Sequence, residues 1–162
     1  MKTIKISCFR GLFFILFIVP MQGVFAQKVS PDQEAAIKNL LESHQYVFHA
    51  ITVTPLAGGE RQLPLIYTVA VYKDSVVSDL PYFGQAYTAP TINTFEGIKF
   101  TSVNFDYKLT PRKNGGWDIS IWVKDIHDSQ HFKFGMYKDG SVYLFVTNTN
   151  RQSIAFSGYI SE

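Results

Sequence analysis

The chain has 162 residues, of which 46% are hydrophobic, 17% charged and 15% aromatic. This composition is typical of one globular domain and excludes a disordered chain. The net charge of +2 includes three basic residues and no acidic residue before residue 27, so the remainder is close to neutral. A near-neutral domain lacks the basic excess that is typical of nucleic-acid binding.

Residues 1–26 have the pattern of a cleavable signal peptide. Three basic residues flank the start of an apolar run at 11–19, and Val24 and Ala26 are the small residues expected before a cleavage site. The run is shorter than the roughly 20 apolar residues that cross a bilayer. We expect cleavage after Ala26, a single mature domain at 27–162 with no membrane span, and a periplasmic or secreted location.

The only cysteine, Cys8, lies in this leader. The mature chain can therefore form no disulfide, no cysteine-ligated metal site and no cysteine nucleophile. Its sequence also contains no Gly-x-Ser-x-Gly motif and no glycine spacing typical of a phosphate loop. We assign it no catalytic residue and no cofactor.

After the leader, the sequence predicts one helix at residues 31–43. Ser30 is suited to the N-cap, Pro31 to the first helical position and Gln33 to a capping box. Apolar side chains then recur at helical spacing, at Ala36, Ile37, Leu40 and Leu41. The helix should therefore pack one apolar face against the rest of the domain.

The remaining sequence alternates with a period of two, which predicts strands. The segments rich in β-branched and aromatic residues are 45–54, 65–72, 76–80, 98–109, 117–124, 131–137, 141–147 and 152–160. Most connections are too short for parallel crossovers, so neighbouring strands are predicted to be antiparallel. The predicted fold class is all-β with one N-terminal helix, an antiparallel meander of about eight strands that forms a barrel or a sandwich.

The hairpin around residues 138–140 can be predicted to its register. Lys138 and Asp139 are predicted to form a type I turn, with Gly140 as the left-handed bulge residue. Unlike a two-residue loop, this register gathers the apolar side chains on one face, namely Phe132, Phe134, Met136, Val142, Leu144 and Val146. A buried face fixes strand register, so we predict the bulged hairpin.

Trp122 is the exceptional residue on its strand, because it shares a face with the polar residues Asp118, Ser120 and Lys124. Either the helix or a neighbouring lysine stem covers the indole, or the indole stacks on a ligand. We therefore include Trp122 among the candidate ligand-binding residues.

A long segment at 79–97 has little strand periodicity and is the least regular connection of the domain. Pro81 and Gly84 constrain its backbone. Its aromatic residues either plug one end of the barrel, which we expect, or form a lid over a ligand; they are Tyr82, Phe83, Tyr87 and Phe95. The first three are candidate ligand-binding residues.

Three landmarks carry a family resemblance: LPYFG at 80–84, GIKF at 97–100 and NRQSIAFSG at 150–158. With these, the chain resembles domain-of-unknown-function family 4251 over its whole mature length. The resemblance implies a small exported protein of Gram-negative bacteria and no assigned activity. The chain departs from the family pattern at Gln85, where the family carries an arginine, and at Phe156.

The polar cluster Asp125, His127, Asp128 and His131 contains donors suited to zinc or a similar metal. Two histidines four residues apart share a face only on a helix, whereas this stretch joins two strands. We therefore expect a solvated turn and no metal.

Arg151 is the last candidate ligand-binding residue. It follows a turn at 148–150, where its guanidinium is expected to pin turn carbonyls or a carboxylate. The alternative is an anion site.

The sequence therefore favours an exported, non-catalytic binding module. Its partner would be a small amphipathic ligand held in the barrel interior, or another protein of the envelope, and the predicted partners include no nucleic acid. The alternative is a hydrolase with dispersed catalytic carboxylates, whose spacing is spatial and not sequential.

We predict that the exported protein begins at Gln27. An intact-mass measurement on the periplasmic or secreted fraction should give the mass of 27–162, because signal peptidase cuts after a small residue that follows an apolar run. A mass that retains residues 1–26 would contradict this.

Overall fold

The computed structural model describes residues 31–87, 97–126 and 130–162. The predicted leader and Ser30 lie outside these residues. Helix α1 spans Pro31–Ser43, as predicted from its capping and apolar pattern. Ile37 and Leu41 are buried against the sheet, Leu40 is half-buried and Ala36 is exposed. The chain leaves the helix through His44, which adopts a left-handed backbone with φ 53°.

The described residues form ten strands of one antiparallel, barrel-shaped sheet that is nearly closed. They are β1 (Tyr46–Pro55), β2 (Arg61–Gln62), β3 (Thr68–Val71), β4 (Val76–Leu80), β5 (Ile98–Ser102), β6 (Phe105–Pro111), β7 (Trp117–Val123), β8 (Gln130–Met136), β9 (Ser141–Asn148) and β10 (Ile154–Ser161). The strand order is β5-β4-β3-β1-β10-β9-β8-β7-β6, and β2 pairs with β1. The predicted fold class is confirmed, as a barrel.

The first and last strands, β1 and β10, pair with each other at the centre of the strand order and join its two halves. Their register runs from Val47 opposite Ser161 to Pro55 opposite Ile154, with a bulge between Ala50 and Thr52. Near this bulge the backbones approach so closely that a Cβ on Gly158 would collide with the carbonyl oxygen of His49. Glycine is therefore required there for steric reasons.

The β8–β9 hairpin has the predicted bulged turn. Gly140 has φ 83° and donates its N–H to the carbonyl oxygen of Tyr137 at 3.1 Å. Phe132 lies opposite Val146, and the following inward pairs keep that register down to the turn. Both rows of side chains are buried, which explains why the apolar pattern alone fixed the register.

The prediction of one strand at 98–109 is wrong. The chain bends at Val103 and Asn104 into β5 and β6, which are the two ends of the strand order. The carboxylate of Asp125 causes the bend: it accepts the N–H of Val103 at 2.8 Å, the N–H of Asn104 at 3.1 Å and the hydroxyl of Ser102. Amides engaged in this way are unavailable for strand pairing.

The part of the barrel interior bounded by these strands is filled by side chains. The rings of Phe48 and Phe134 meet edge to face at 5.7 Å, and those of Phe100 and Phe132 do so at the same distance. The members of each pair come from strands that are not neighbours in the sheet. Burial of the fully buried members, Phe48, Phe132 and Phe134, contributes about 1.5–3 kcal/mol each. A ligand in the interior, the placement expected from sequence, would have to displace this packing.

We predict that Asp125→Asn lowers the urea midpoint of unfolding at pH 7. The hydrogen bond from Ser102, followed by the N–H of Val103, holds the pKa of Asp125 below its ordinary value. A lowered pKa in the folded state gives stability that is fully present above the unfolded value of about 4. That stability is lost as the pH falls through the folded-state pKa, so the difference between wild type and variant should shrink below about pH 4.

The matched control is Asp74→Asn, because Asp74 bonds only to the hydroxyl of the adjacent Ser75 among the described contacts. It should leave the midpoint unchanged at every pH. Equal effects of the two substitutions at pH 7 would contradict the role given to Asp125.

Candidate functional site

The structure separates the predicted ligand-binding residues into two places. Tyr82, Phe83 and Tyr87 lie in the segment after β4, which contacts the turn that carries Arg151. Trp122 lies on the outer face of β7 and lines a different part of the surface. The five side chains therefore do not form one site.

The segment after β4 is held to the turn before β10 by backbone hydrogen bonds. Tyr87 donates its N–H to the carbonyl oxygen of Asn150 at 2.8 Å, and Gln152 donates its N–H to that of Gln85 at 3.0 Å. Between these bonds, Ala86 and Arg151 form an antiparallel bridge. The described part of the segment is thus a short ribbon fixed to the barrel.

Tyr82 is the aromatic residue that fixes this ribbon. Its hydroxyl is a hydrogen-bond donor to two carbonyl oxygens, that of Gln152 at 2.9 Å and that of Gln85 at 3.0 Å. The guanidinium of Arg151 lies over the tyrosine ring at 5.2 Å, and its Nη1 donates to the carbonyl oxygen of Gly97 at 2.9 Å. Burial raises the pKa of Tyr82, which therefore stays a neutral donor. Arg151 holds the turn and the ribbon together.

The expectation that the aromatic residues jointly plug the barrel is wrong for two of them. Phe83 is 39% exposed and Tyr87 is 66% exposed, whereas Pro81 is buried and Tyr82 is half-buried against the core. The Tyr82 ring lies over Gly84, where a Cβ would collide with its hydroxyl, whereas the Phe83 ring lies under the guanidinium of Arg61 at 5.3 Å. Phe95 lies outside the described residues.

A groove of about 770 Å³ opens to solvent where β6, β7, β8 and β9 run side by side. We call it the Trp122 groove. Its described lining residues are Asp106, Trp122, Val123, Lys124, Gln130, His131, Thr147, Asn148 and Thr149. Strand register brings four of them into one row, because Asp106 lies opposite Trp122, Trp122 opposite His131, and His131 opposite Thr147.

The Trp122 indole is stacked on His131 and remains partly exposed. The imidazole of His131 stacks on the ring at a centroid distance of 4.2 Å and an interplanar angle of 15°. The residue is nevertheless 40% exposed. The imidazole therefore covers one face of the ring. Lys124, on the same face of β7, reaches Asp106, which lies opposite Trp122, so its stem runs beside the indole as one of the two sequence alternatives expected.

Two buried polar atoms of the Trp122 groove have no hydrogen-bond partner among the described residues, the Oε1 of Gln130 and the Nε2 of His131. Gln130 is only 8% exposed. Leaving a buried polar atom unpaired costs about 1–3 kcal/mol. Burial, followed by the charge of Lys133, lowers the pKa of His131, so the imidazole is neutral at neutral pH.

The metal candidates do not converge within the described residues, which contain no group of three or more potential metal-ligating histidine, cysteine or acidic side chains. Asp125 is engaged at the bend between β5 and β6, and His131 stacks on Trp122. His127 and Asp128 lie outside the described residues.

Sequence reasoning missed Gln130, Thr147 and Asn148. A signal for Gln130 was present, because it is the one polar member of the inward row that continues through Phe132, Phe134 and Met136 of β8. The other two are polar residues at a strand end, which carry no such signal.

The family model for DUF4251, a domain of unknown function, matches residues 28–160. The chain belongs to this family. A crystal structure of a DUF4251 family protein from Bacteroides eggerthii DSM 20697, at 1.95 Å resolution, superposes with a TM-score of 0.63. That protein is 17% identical, and the match covers 80% of this chain and 87% of the other, so it shows a shared fold. Comparison with curated proteins finds no match.

No helix among the described residues of this DUF4251 protein is long and apolar enough to cross a bilayer. The family carries no assigned activity. Its function has therefore to be argued from the Trp122 groove and the ribbon.

We predict that Tyr82→Ala destabilises the protein by about 2–3 kcal/mol, because it removes packed aromatic area and the hydrogen bond that fixes the ribbon. Phe83→Ala, one residue along the same ribbon, should cost less than about 1 kcal/mol, as exposed positions do. Urea titration measures both. Equal losses would contradict the different roles of these neighbours.

Proposed function

We propose that this DUF4251 protein is a non-catalytic binding module that works outside the cytoplasm and holds a small, neutral, amphipathic ligand in the Trp122 groove. One observation carries the proposal: the partly exposed Trp122 shares a groove with Gln130 and His131, each of which has a buried polar atom without a partner among the described residues. A site with one apolar surface and a few unpaired polar atoms is typical of small-molecule recognition.

The dimensions of the groove support this reading. Its volume of about 770 Å³ lies within the range of roughly 300–1,000 Å³ that small-molecule sites occupy. The row from Asp106 to Thr147 is built on four paired strands, which hold the side chains in fixed positions. A ligand would meet a preformed surface.

The hydrolase alternative finds less support. Asp106 is the only carboxylate among the described residues that line the groove, and it forms an ion pair with Lys124 at 2.6 Å. Glycoside hydrolysis in its usual form needs two facing carboxyl groups. The described part of the groove supplies one, and that one is already paired.

The location outside the cytoplasm rests on the leader. A basic start, an apolar run and small residues at Val24 and Ala26 support export and cleavage. The mature chain would then carry the groove into the periplasm or the medium, where a ligand or an envelope partner is available to it.

The experiment is a fragment screen by two-dimensional 15N NMR on the exported form. Neutral amphipathic fragments should shift the indole N–H signal of Trp122 and the amide signals of His131 and Thr147. Trp122→Ala should abolish binding, because it removes the apolar surface of the groove.

The matched control is Tyr143→Ala, which removes another aromatic residue, 45% exposed, from the outer face of β9. It should leave binding unchanged. Fragments that shift no groove signal, or that bind equally well without Trp122, would overturn the proposal.

A further inference from the structure

We propose that the ligand class of the Trp122 groove is a neutral saccharide, bound with one sugar ring stacked on the free face of the Trp122 indole. This inference rests on the proposed function and makes it specific.

The first support is the shape of the apolar surface. His131 stacks on one face of the indole and the residue is 40% exposed, so the surface left for a ligand is the opposite face or the ring edge. A pyranose ring presents a comparable flat face of C–H groups, which packs on the electron-rich face of an aromatic ring. The remaining groups of a sugar point outward in its ring plane, toward the polar residues around the indole.

The second support is hydrogen bonding. Gln130 lines the groove from the inward row, and its buried Oε1 accepts from no donor among the described residues; a turn of the amide would bring this acceptor to a ligand hydroxyl. The side chains of Thr147, Asn148 and Thr149 line the same groove and can both donate and accept. Neighbouring sugar hydroxyls also donate and accept hydrogen bonds, so one sugar ring can pair with all of these side chains. A hydrocarbon would leave the buried acceptor unpaired, as it is in the free protein, and so would gain nothing from it.

The third support is charge. Lys124 is the only lysine or arginine among the described lining residues, and its ammonium is 2.6 Å from the carboxylate of Asp106. His131 is neutral at neutral pH because burial lowers its pKa. A carboxylated or sulfated sugar would therefore find no unpaired cation in the described part of the groove, which favours an uncharged one.

The test titrates the 15N-labelled wild-type protein with four probes: cellotetraose, maltotetraose, chitotetraose and tetragalacturonate. An aromatic amphiphile, benzyl alcohol, forms a separate arm. The readout is the indole N–H signal of Trp122, with the largely buried Trp117, the only other tryptophan, as an internal reference. At least one neutral tetrasaccharide should shift the Trp122 signal, and tetragalacturonate should not.

The diagnostic variant is Gln130→Met, which has a similar volume and no strong acceptor. It removes an unpaired buried polar atom, so the free protein should unfold at a higher urea concentration than wild type. Its affinity for the tetrasaccharide should nevertheless fall about tenfold, since one buried hydrogen bond to the ligand is lost. If Gln130 had only a structural role, the substitution would not raise the stability of the free protein while lowering its affinity for the tetrasaccharide. Tyr143→Ala again serves as the control with unchanged affinity.

The outcomes distinguish the saccharide assignment from the proposed binding function. If only benzyl alcohol shifts the Trp122 signal, the saccharide assignment is wrong and the proposed binding function is retained. Preferential binding of tetragalacturonate, or an affinity unaffected by Gln130→Met, would also overturn the saccharide assignment. If no probe and no fragment shifts the Trp122 signal, both the saccharide and the proposed function are wrong.

Discussion

The pairing of β1 with β10 is the contact on which the rest of the structure depends. Without it the chain would be two separate sheets, one containing β3 to β5 and the other β6 to β9. The bulge after Ala50 and the close approach at Gly158 belong to this pairing. Contacts between chain ends have a high loop-closure cost. The buried alternate residues of both strands offset that cost by packing into the common interior.

The barrel shape of the sheet has a direct consequence for function. The inward side chains of opposite strands meet as ring pairs, so the described interior is occupied by the protein itself. Side chains that alternate outward are left for other roles. On β7 and β8 the outward neighbours include Trp122 and His131, and the first inward position of β8 is the polar Gln130. Aromatic surface and unpaired polar atoms thus meet where the strands end.

Local pattern predicted much of the fold and little of the site. The caps and apolar spacing predicted α1, and two buried faces fixed the β8–β9 register. The bend at Val103 could not be predicted, because the Asp125 carboxylate that binds its amide comes from a distant turn. Trp122 was recognised as exceptional from its strand alone. Trp122 lies near Gln130 and Thr147 because of the relative register of β7, β8 and β9. The alternation of apolar and polar residues within each strand does not predict that register.

The central claim is that the barrel interior is packed and that binding takes place on the outer groove. Carbon-13 spectra of the methyl groups of Ile121 and Leu144, both fully buried, test this directly during titration with benzene, which enters empty apolar cavities. We predict that these methyl signals do not move at saturating benzene. Large shifts of these inward methyl signals, with the folded state retained, would show an interior able to hold a ligand and would contradict the account.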